Sequence, residues 1–197
     1  SVNGKIINYS NISVENVSIN SKENLKNGIF VPLKGENVDG HDFIKDAYEN
    51  GAITCFSEKE LNISEPYILV DSTRQALKDF AEYYISLFKI PIVAITGSSG
   101  KTTTKDIVAC VLSQKYKVVK TIGNFNNEVG LPLTIFNIDD TTDIAILEMG
   151  TSSFGEISNL SKIAKPDICV ITNIGTAHIE TLCDAEGILK AKSEIFD

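Results

Sequence analysis

The stretch from Pro91 to Leu112, PIVAITGSSGKTTTKDIVACVL, decides how the chain is read. Its apolar run Ile92 to Ile95 has the unbroken character of a strand buried on both faces, as strands of parallel sheets are. Glycines at 97 and 100 interrupt the run, and from Lys101 apolar residues return at helical spacing. A parallel strand that passes through glycines into a helix supplies an anion site. Glycine lets the backbone turn its N–H groups inward, and the helix N-terminus adds partial positive charge. In such a site Lys101 would reach the β- and γ-phosphates of a nucleotide and the Thr102 hydroxyl would ligate Mg²⁺. The strict GxxxxGK[ST] pattern is not met, because Ile95 stands where its first glycine belongs. The loop reads as a shorter variant, with a glycine-rich strand-to-helix turn and an exposed lysine as the plainer alternative.

Outward from this stretch the texture is that of a parallel α/β sheet. Beyond Pro91, the runs IVAIT, KVVKT, DIAILEM and DICVITN alternate with helical patterns near 102–113, 155–164 and 186–196. Before it, GIFVPL and PYILV read as short strands. DFIKDAYENG reads as a helix closed by Gly51, and STRQALKDFAEYYISLF as a helix capped by Ser72. The expected fold is α/β: a small N-terminal α/β domain over 1–89, then a phosphate-loop, mononucleotide-binding parallel sheet with flanking helices over 90–197. No Gly/Ser linker or internal repeat marks the boundary near Lys89.

The 197 residues are 43% hydrophobic and 22% charged, enough apolar material for one large core or two small ones. With 18 basic against 26 acidic residues the formal charge is -8, which argues against a nucleic-acid partner held by phosphate neutralisation. Any anion must then be held locally. Four cysteines without CxxC spacing and only two histidines give a zinc cluster little to draw on. The N-terminal SVNGKIINYS lacks a signal-peptide pattern, and no apolar run approaches the ~20 residues of a membrane helix. A cytoplasmic protein with reduced thiols is expected, without nucleic-acid or membrane partners.

In open α/β sheets ligands sit outside the carboxyl ends of the strands, so residues ending the other strands share the crevice. DIAILEMG ends in Glu148; DICVITNIGTAHIE ends its strand at Asn173, with His178 five residues on. Carboxylate, imidazole and threonine hydroxyl could converge on magnesium beside a triphosphate. Residue type alone leaves Glu148 as either ligand or solvated strand cap, and His178 as either ligand or satisfied loop histidine. In TIGNFNNEVGLPLT, Asn124, Asn126 and Asn127 crowd between Gly123 and Gly130, where they serve either a turn or a bound ligand. Lys192, in EGILKAKSEIF, reads by spacing as a surface lysine. His41 is either structural or a substrate contact, and Thr73 and Arg74 begin a helix, with Arg74 also within the range of residues that meet a diphosphate.

AITGSSGKTTTKD, GNFNNEVGLPLT, LEMGTSSFGEISNLSKIAKPDICVITNIGTAH and AKSEIF, in that order, resemble the ATP-dependent Mur ligases of peptidoglycan synthesis. Upstream, GIFVPLKGENVDGHDFIKDAYENGA is similar to the domain that holds the UDP-sugar in the dipeptide-adding and amino-acid-adding members. The asparagine-rich stretch and the EMG…GEI pair favour the dipeptide-adding member. The resemblance implies a UDP-MurNAc-peptide-binding domain over 1–89 and an ATP-binding domain over 90–197. Thr96, Gly97, Ser98, Ser99, Gly100, Lys101, Thr102 and Thr103, with Asn124 and Asn127, would hold ATP. Thr102, Glu148 and His178 would hold Mg²⁺, and Ser21, Lys22, Asn126 and Asn127 would touch the muramyl substrate. The implied catalytic set is Lys101, Glu148, His178 and Lys192, the last at the position that family members commonly carbamylate.

The implied activity joins D-Ala-D-Ala to UDP-MurNAc-tripeptide through an acyl phosphate, in a monomer. Family members continue past Asp197 with the rest of the sheet and a Rossmann-like domain, so a fragment, inactive alone, is expected. The family's Asp-Ser-Arg appears here as Asn20-Ser21-Lys22, and its Gly-Ser after the histidine loop as Cys183-Asp184. Sibling ligases that add one amino acid, and folylpolyglutamate synthase relatives, share the loop chemistry. A phosphate-loop GTPase or small-molecule kinase is the reading from another class, although NKxD is absent. For the fragment itself, a binding module for nucleotide or UDP-sugar is the remaining reading.

Overall fold

A computed structural model describes residues 2–8, 11, 13–175 and 179–197 of the chain. They form two compact units, Ser1–Phe80 and Ala81–Asp197.

In the first unit, β1 (Gly4–Ile7), β2 (Asn16–Ser18), β3 (Gly28–Phe30), β4 (Ala52–Ser57) and β5 (Tyr67–Val70) build one sheet in the order β1-β5-β4-β3-β2. Strand β1 runs antiparallel to β5 and the other pairings are parallel. Helix α1 (Ile44–Glu49) buries Ile44 and Ala47 among Leu25, Phe30, Cys55 and Tyr67. It ends ahead of Gly51, whose φ of 100° is the left-handed conformation that commonly closes a helix. Helix α2 (Thr73–Ile85) opens with Ser72, whose hydroxyl accepts from the Gln75 amide at 3.3 Å. The division at Phe80 falls inside α2, because Ala81 and Ile85 belong to the core of the second unit.

The second unit is a four-stranded parallel sheet in the order β7-β8-β6-β9. Along the chain run β6 (Ile92–Thr96), α3 (Lys101–Leu112), β7 (Val118–Lys120), α4 (Gly130–Ile135), β8 (Ile144–Glu148), α5 (Glu156–Ala164), β9 (Ile168–Ile171), α6 (Ile179–Leu182), α7 (Ala185–Ser193) and a 3₁₀ turn (Glu194–Phe196). Side chains of β6 alternate between the two faces, as a strand requires. Val93 and Ile95 pack with Ile146 and with Ala109 of α3. Ile92 and Ala94 pack on the other face with Leu131, Leu147, Ile157 and Leu160. Each fully buried aliphatic side chain contributes about 1.5–3 kcal/mol, so these two layers hold the ends of β6 and β8 rigid. Because the chain passes from β6 across to β7, returns through β8 and then adds β9 on the opposite flank of β6, the carboxyl ends of β8, β6 and β9 open on one crevice. The helical pattern expected over 186–196 is split into α7 and the 3₁₀ turn. Among the described residues no helix is long and apolar enough to cross a membrane.

Candidate functional site

The loop between β6 and α3 is set by two glycines. Gly97 has φ 149° and Gly100 φ 76°, values open to glycine and strained for other residues. A Cβ on Gly97 would also strike the Thr172 hydroxyl, so the loop comes close to the end of β9 only because that atom is missing. The contact is dense. Thr172 Oγ1 donates to Ser99 O at 2.6 Å, and the amides of Ser98 and Ser99 donate to Asn173 O and Oδ1 at 3.1 and 2.9 Å. Asn173 Nδ2 donates to Ser99 Oγ at 2.7 Å, and the Gly175 amide to Ser98 Oγ at 2.9 Å. Two of the loop amides that the sequence assigned to phosphate are thus engaged by Asn173. The first-turn amides of α3, which have no intrahelical acceptor, remain the donors a ligand would meet. Lys101 folds back, its Nζ donating to Gly97 O at 2.8 Å.

Opposite lies Glu148, which is 2% exposed and so is not a solvated strand cap. Its Oε2 accepts from Thr102 Oγ1 at 3.0 Å and lies 3.5 Å from Lys105 Nζ; its Oε1 accepts from Asn126 Nδ2 at 2.9 Å. The Glu148 amide donates to the buried Thr121 hydroxyl at 2.9 Å. Thr102, Asn126 and Lys105 are aimed at the carboxylate, while Thr121 holds the backbone amide of the same residue, and together they keep its orientation fixed. A hard divalent cation takes oxygen ligands, and the Thr102 hydroxyl beside the Glu148 carboxylate fits part of such a ligand set. Among the described residues no three His, Cys, Asp or Glu gather as a metal cage. His178 lies outside the described residues.

The asparagines divide by role. Asn126 reaches Glu148, and a Cβ on Gly150 would sit 3.1 Å from its side-chain amide, so Gly150 admits it. Asn127 Oδ1 instead accepts from the Val129 and Gly130 amides at 3.1 and 2.9 Å, which caps α4; Asn124 is exposed. Lys192 is 1% exposed, against the surface position that its spacing predicts. Burial holds its ammonium below the ordinary lysine value, and the nearby Lys101 charge adds to the effect. Its helix is tied down by Glu194, which accepts from the Gly155 and Ser158 amides at 2.7 and 3.1 Å at the start of α5. Thr96 Oγ1 is buried without a hydrogen-bond partner among the described residues.

In the first unit, Ser21 is buried and Lys22 exposed beside a cavity of about 340 Å³ that Phe30, Gly40 and Phe43 also line. The Ser21 carbonyl accepts from Asn50 Nδ2 at 2.8 Å, and the Lys22 amide donates to Asn20 Oδ1 at 3.1 Å. His41 is buried between Asp39, 2.6 Å away, and the Glu58 amide, which donates to its Nε2 at 3.1 Å; it is held structurally. Thr73 gives both its amide and its hydroxyl to Glu58, and Arg74 donates to Lys34 O.

Lys105 and Thr121 are the site groups that sequence reasoning missed; Asn173 is placed at the crevice by its strand end, but its bonds to the glycine loop are not. Lys105 had a signal: it follows Lys101 by four and precedes the buried Ala109 by four, on the inward face of α3.

The fold and this crevice define a phosphate-loop α/β sheet, and comparison with known proteins gives its family. The profile of the Mur ligase middle domain matches residues 95–197, and that of the Mur ligase family catalytic domain residues 13–85. The chain belongs to the Mur ligase family. It is 43% identical to the UDP-N-acetylmuramoyl-tripeptide--D-alanyl-D-alanine ligase of Bacillus subtilis, with 100% of this chain and 44% of that protein covered. The Escherichia coli ligase of the same name is 34% identical over 95% of the chain and 41% of its own length. Among solved structures, MurF from Acinetobacter baumannii superposes with a TM-score of 0.91 at 33% identity, covering 95% of this chain and 42% of that one. MurF ligase from Thermotoga maritima in complex with ADP superposes with a TM-score of 0.84 at 43% identity, covering 91% and 42%. The chain thus spans under half the length of the relatives it matches.

Proposed function

We propose that this chain is the nucleotide- and UDP-substrate-binding part of a cytoplasmic ATP-dependent ligase that joins D-alanyl-D-alanine to UDP-MurNAc-tripeptide in peptidoglycan precursor synthesis. The observation that carries the reading is the likeness, over the whole chain, to dipeptide-adding ligases, together with the Thr102–Glu148 pairing at the mouth of the glycine loop. The solved neighbour in complex with ADP supports an adenine nucleotide as the ligand.

In this reading residues 90–197 hold ATP and residues 1–89 hold the UDP-sugar, with Ser21 and Lys22 at its cavity. The α3 amides and Lys101 take the phosphates, and Lys101 leaves Gly97 O to do so. Thr102 and Glu148, with His178, would hold a magnesium ion, which would supply neutralisation of the charge on the transferring phosphoryl group. The terminal carboxylate of the tripeptide attacks the γ-phosphorus, giving an acyl phosphate and ADP. The dipeptide amine then attacks the acyl carbon and phosphate leaves. Positioning supplies most of the acceleration. Lys192, less basic than an ordinary lysine, offers the neutral amine that reacts with CO₂ to give a carbamate.

The test uses the intact protein with ATP, UDP-MurNAc-tripeptide and a panel of acceptors. Amide product and phosphate with D-alanyl-D-alanine, and neither with single amino acids, is the expected result. Turnover with a single amino acid instead would assign the protein to a sibling activity.

A further inference from the structure

Lys105 is 2% exposed, and its ammonium lies 3.5 Å from the equally buried Glu148 carboxylate. Its other acidic neighbour, Asp106, is 3.8 Å away and is already bonded to Lys120 at 2.7 Å, so the Lys105 charge is directed mainly at Glu148. We propose that Lys105 is a resident counter-cation which stops Glu148 from taking a free divalent ion, so that metal enters this site only together with nucleotide phosphate. The proposal rests on the nucleotide reading above and adds a positioning residue to it.

The argument is one of charge and ligand count. Both Glu148 oxygens already have donors, Thr102 at Oε2 and Asn126 at Oε1, and the Lys105 ammonium forms an ion pair with Oε2. A free cation would have to displace the Thr102 bond and sit a few ångströms from an ammonium in a low-dielectric setting, where repulsion is strong. In return it would gain few protein ligands, Thr102 and Glu148 with His178 in the reading above, fewer than the six of a magnesium shell. Magnesium dehydrates reluctantly and completes its shell with substrate phosphates. A polyphosphate brings both the missing oxygens and the negative charge that offsets Lys105 and Lys101. If Lys105 served only to fill the core, a neutral side chain of like length would leave metal affinity unchanged.

The probe is Mn²⁺, titrated by electron paramagnetic resonance into the intact protein, with and without a non-hydrolysable ATP analogue. Wild type is expected to bind Mn²⁺ at this site only with the analogue. Lys105→Met is expected to bind Mn²⁺ without nucleotide at least tenfold more tightly than wild type, with the gain removed in Lys105→Met/Glu148→Gln and absent in Lys105→Arg. No gain in a Lys105→Met protein that still binds Mn²⁺ with the analogue overturns the inference and leaves the nucleotide reading standing. Should Lys105→Met not fold, wild type decides alone: a nucleotide-free Mn²⁺ site that Glu148→Gln abolishes overturns the inference, and its absence supports it. Failure of wild type to bind Mn²⁺ even with the analogue overturns both.

Discussion

The Thr102 hydroxyl donates to Glu148 Oε2 across 3.0 Å, tying the first turn of α3 to the carboxyl end of β8. Thr102 is itself exposed, so a valine there removes mainly the bond to Glu148. Thr102→Val should weaken magnesium-dependent binding of an ATP analogue by about tenfold to a hundredfold, in line with the about 1.5–3 kcal/mol of a hydrogen bond made to a charged group. Stability should fall by no more than about 1–3 kcal/mol, because the buried carboxylate loses one of its donors and keeps Asn126 and Lys105. Isothermal calorimetry and urea unfolding of the variant measure both, and unchanged affinity would remove Thr102 from the site.

The two loop glycines should differ in what they tolerate. Gly97→Ala meets both an unfavourable φ and the Thr172 hydroxyl, while Gly100→Ala meets open space and carries only the cost of φ. Left-handed backbone costs an L-residue about 1–2 kcal/mol, so Gly100→Ala should lose about that and Gly97→Ala more. Thr172→Ala should recover part of the Gly97→Ala loss. Thermal unfolding of the four proteins gives the coupling, and additive losses would show that the close approach is not what fixes Gly97.

Stability should respond to alkaline pH through Lys192. Its folded value lies below the ordinary one, because burial disfavours the ammonium. Between that lowered value and the unfolded value near 10.4 the unfolded chain therefore binds more protons, and stability rises with pH across the window. Lys192→Met, in CO₂-free buffer, should flatten this rise. Urea midpoints measured from about neutral pH to about pH 10 test it, and identical slopes would mean that the burial is not felt as charge.

The thiols should sort by exposure. Cys55 is fully buried, and burial pushes its thiol up to about 11. Cys169 is partly buried with its thiol also raised, and Sγ lies 3.1 Å from Ile195 O. Cys110 and Cys183 are exposed. Brief alkylation of the native protein, read by peptide mass spectrometry, should label Cys110 and Cys183 and spare Cys55 until the chain is unfolded. Labelling of Cys55 in the native state would contradict the packing of β4.

Much of the parallel sheet was legible because its strands are apolar runs ended by glycine or asparagine, and Glu148 could be named because it ends such a run. Strands β1, β2 and β4 were not forecast: Gly4–Ile7 is a short, exposed edge segment and Asn16–Ser18 a three-residue edge strand ending in a buried serine, and pairing, not composition, makes them strands. Helix α4 was hidden behind Asn127, whose side chain reads as a turn former and in fact caps the helix that follows. Lys192 and Lys105 were missed as buried groups for one reason: spacing places a lysine on a face, but only the surrounding layers decide whether that face meets water. The Asn173 contacts to the loop join residues 74 apart, and no local pattern reports them.

Calorimetry of a non-hydrolysable ATP analogue with the intact protein, with and without magnesium, tests most directly the claim that the Gly97–Thr102 loop grips polyphosphate. The account predicts magnesium-dependent binding that Lys101→Ala reduces at least tenfold in a folded protein. Binding that is absent in wild type, or undiminished in Lys101→Ala, would contradict it.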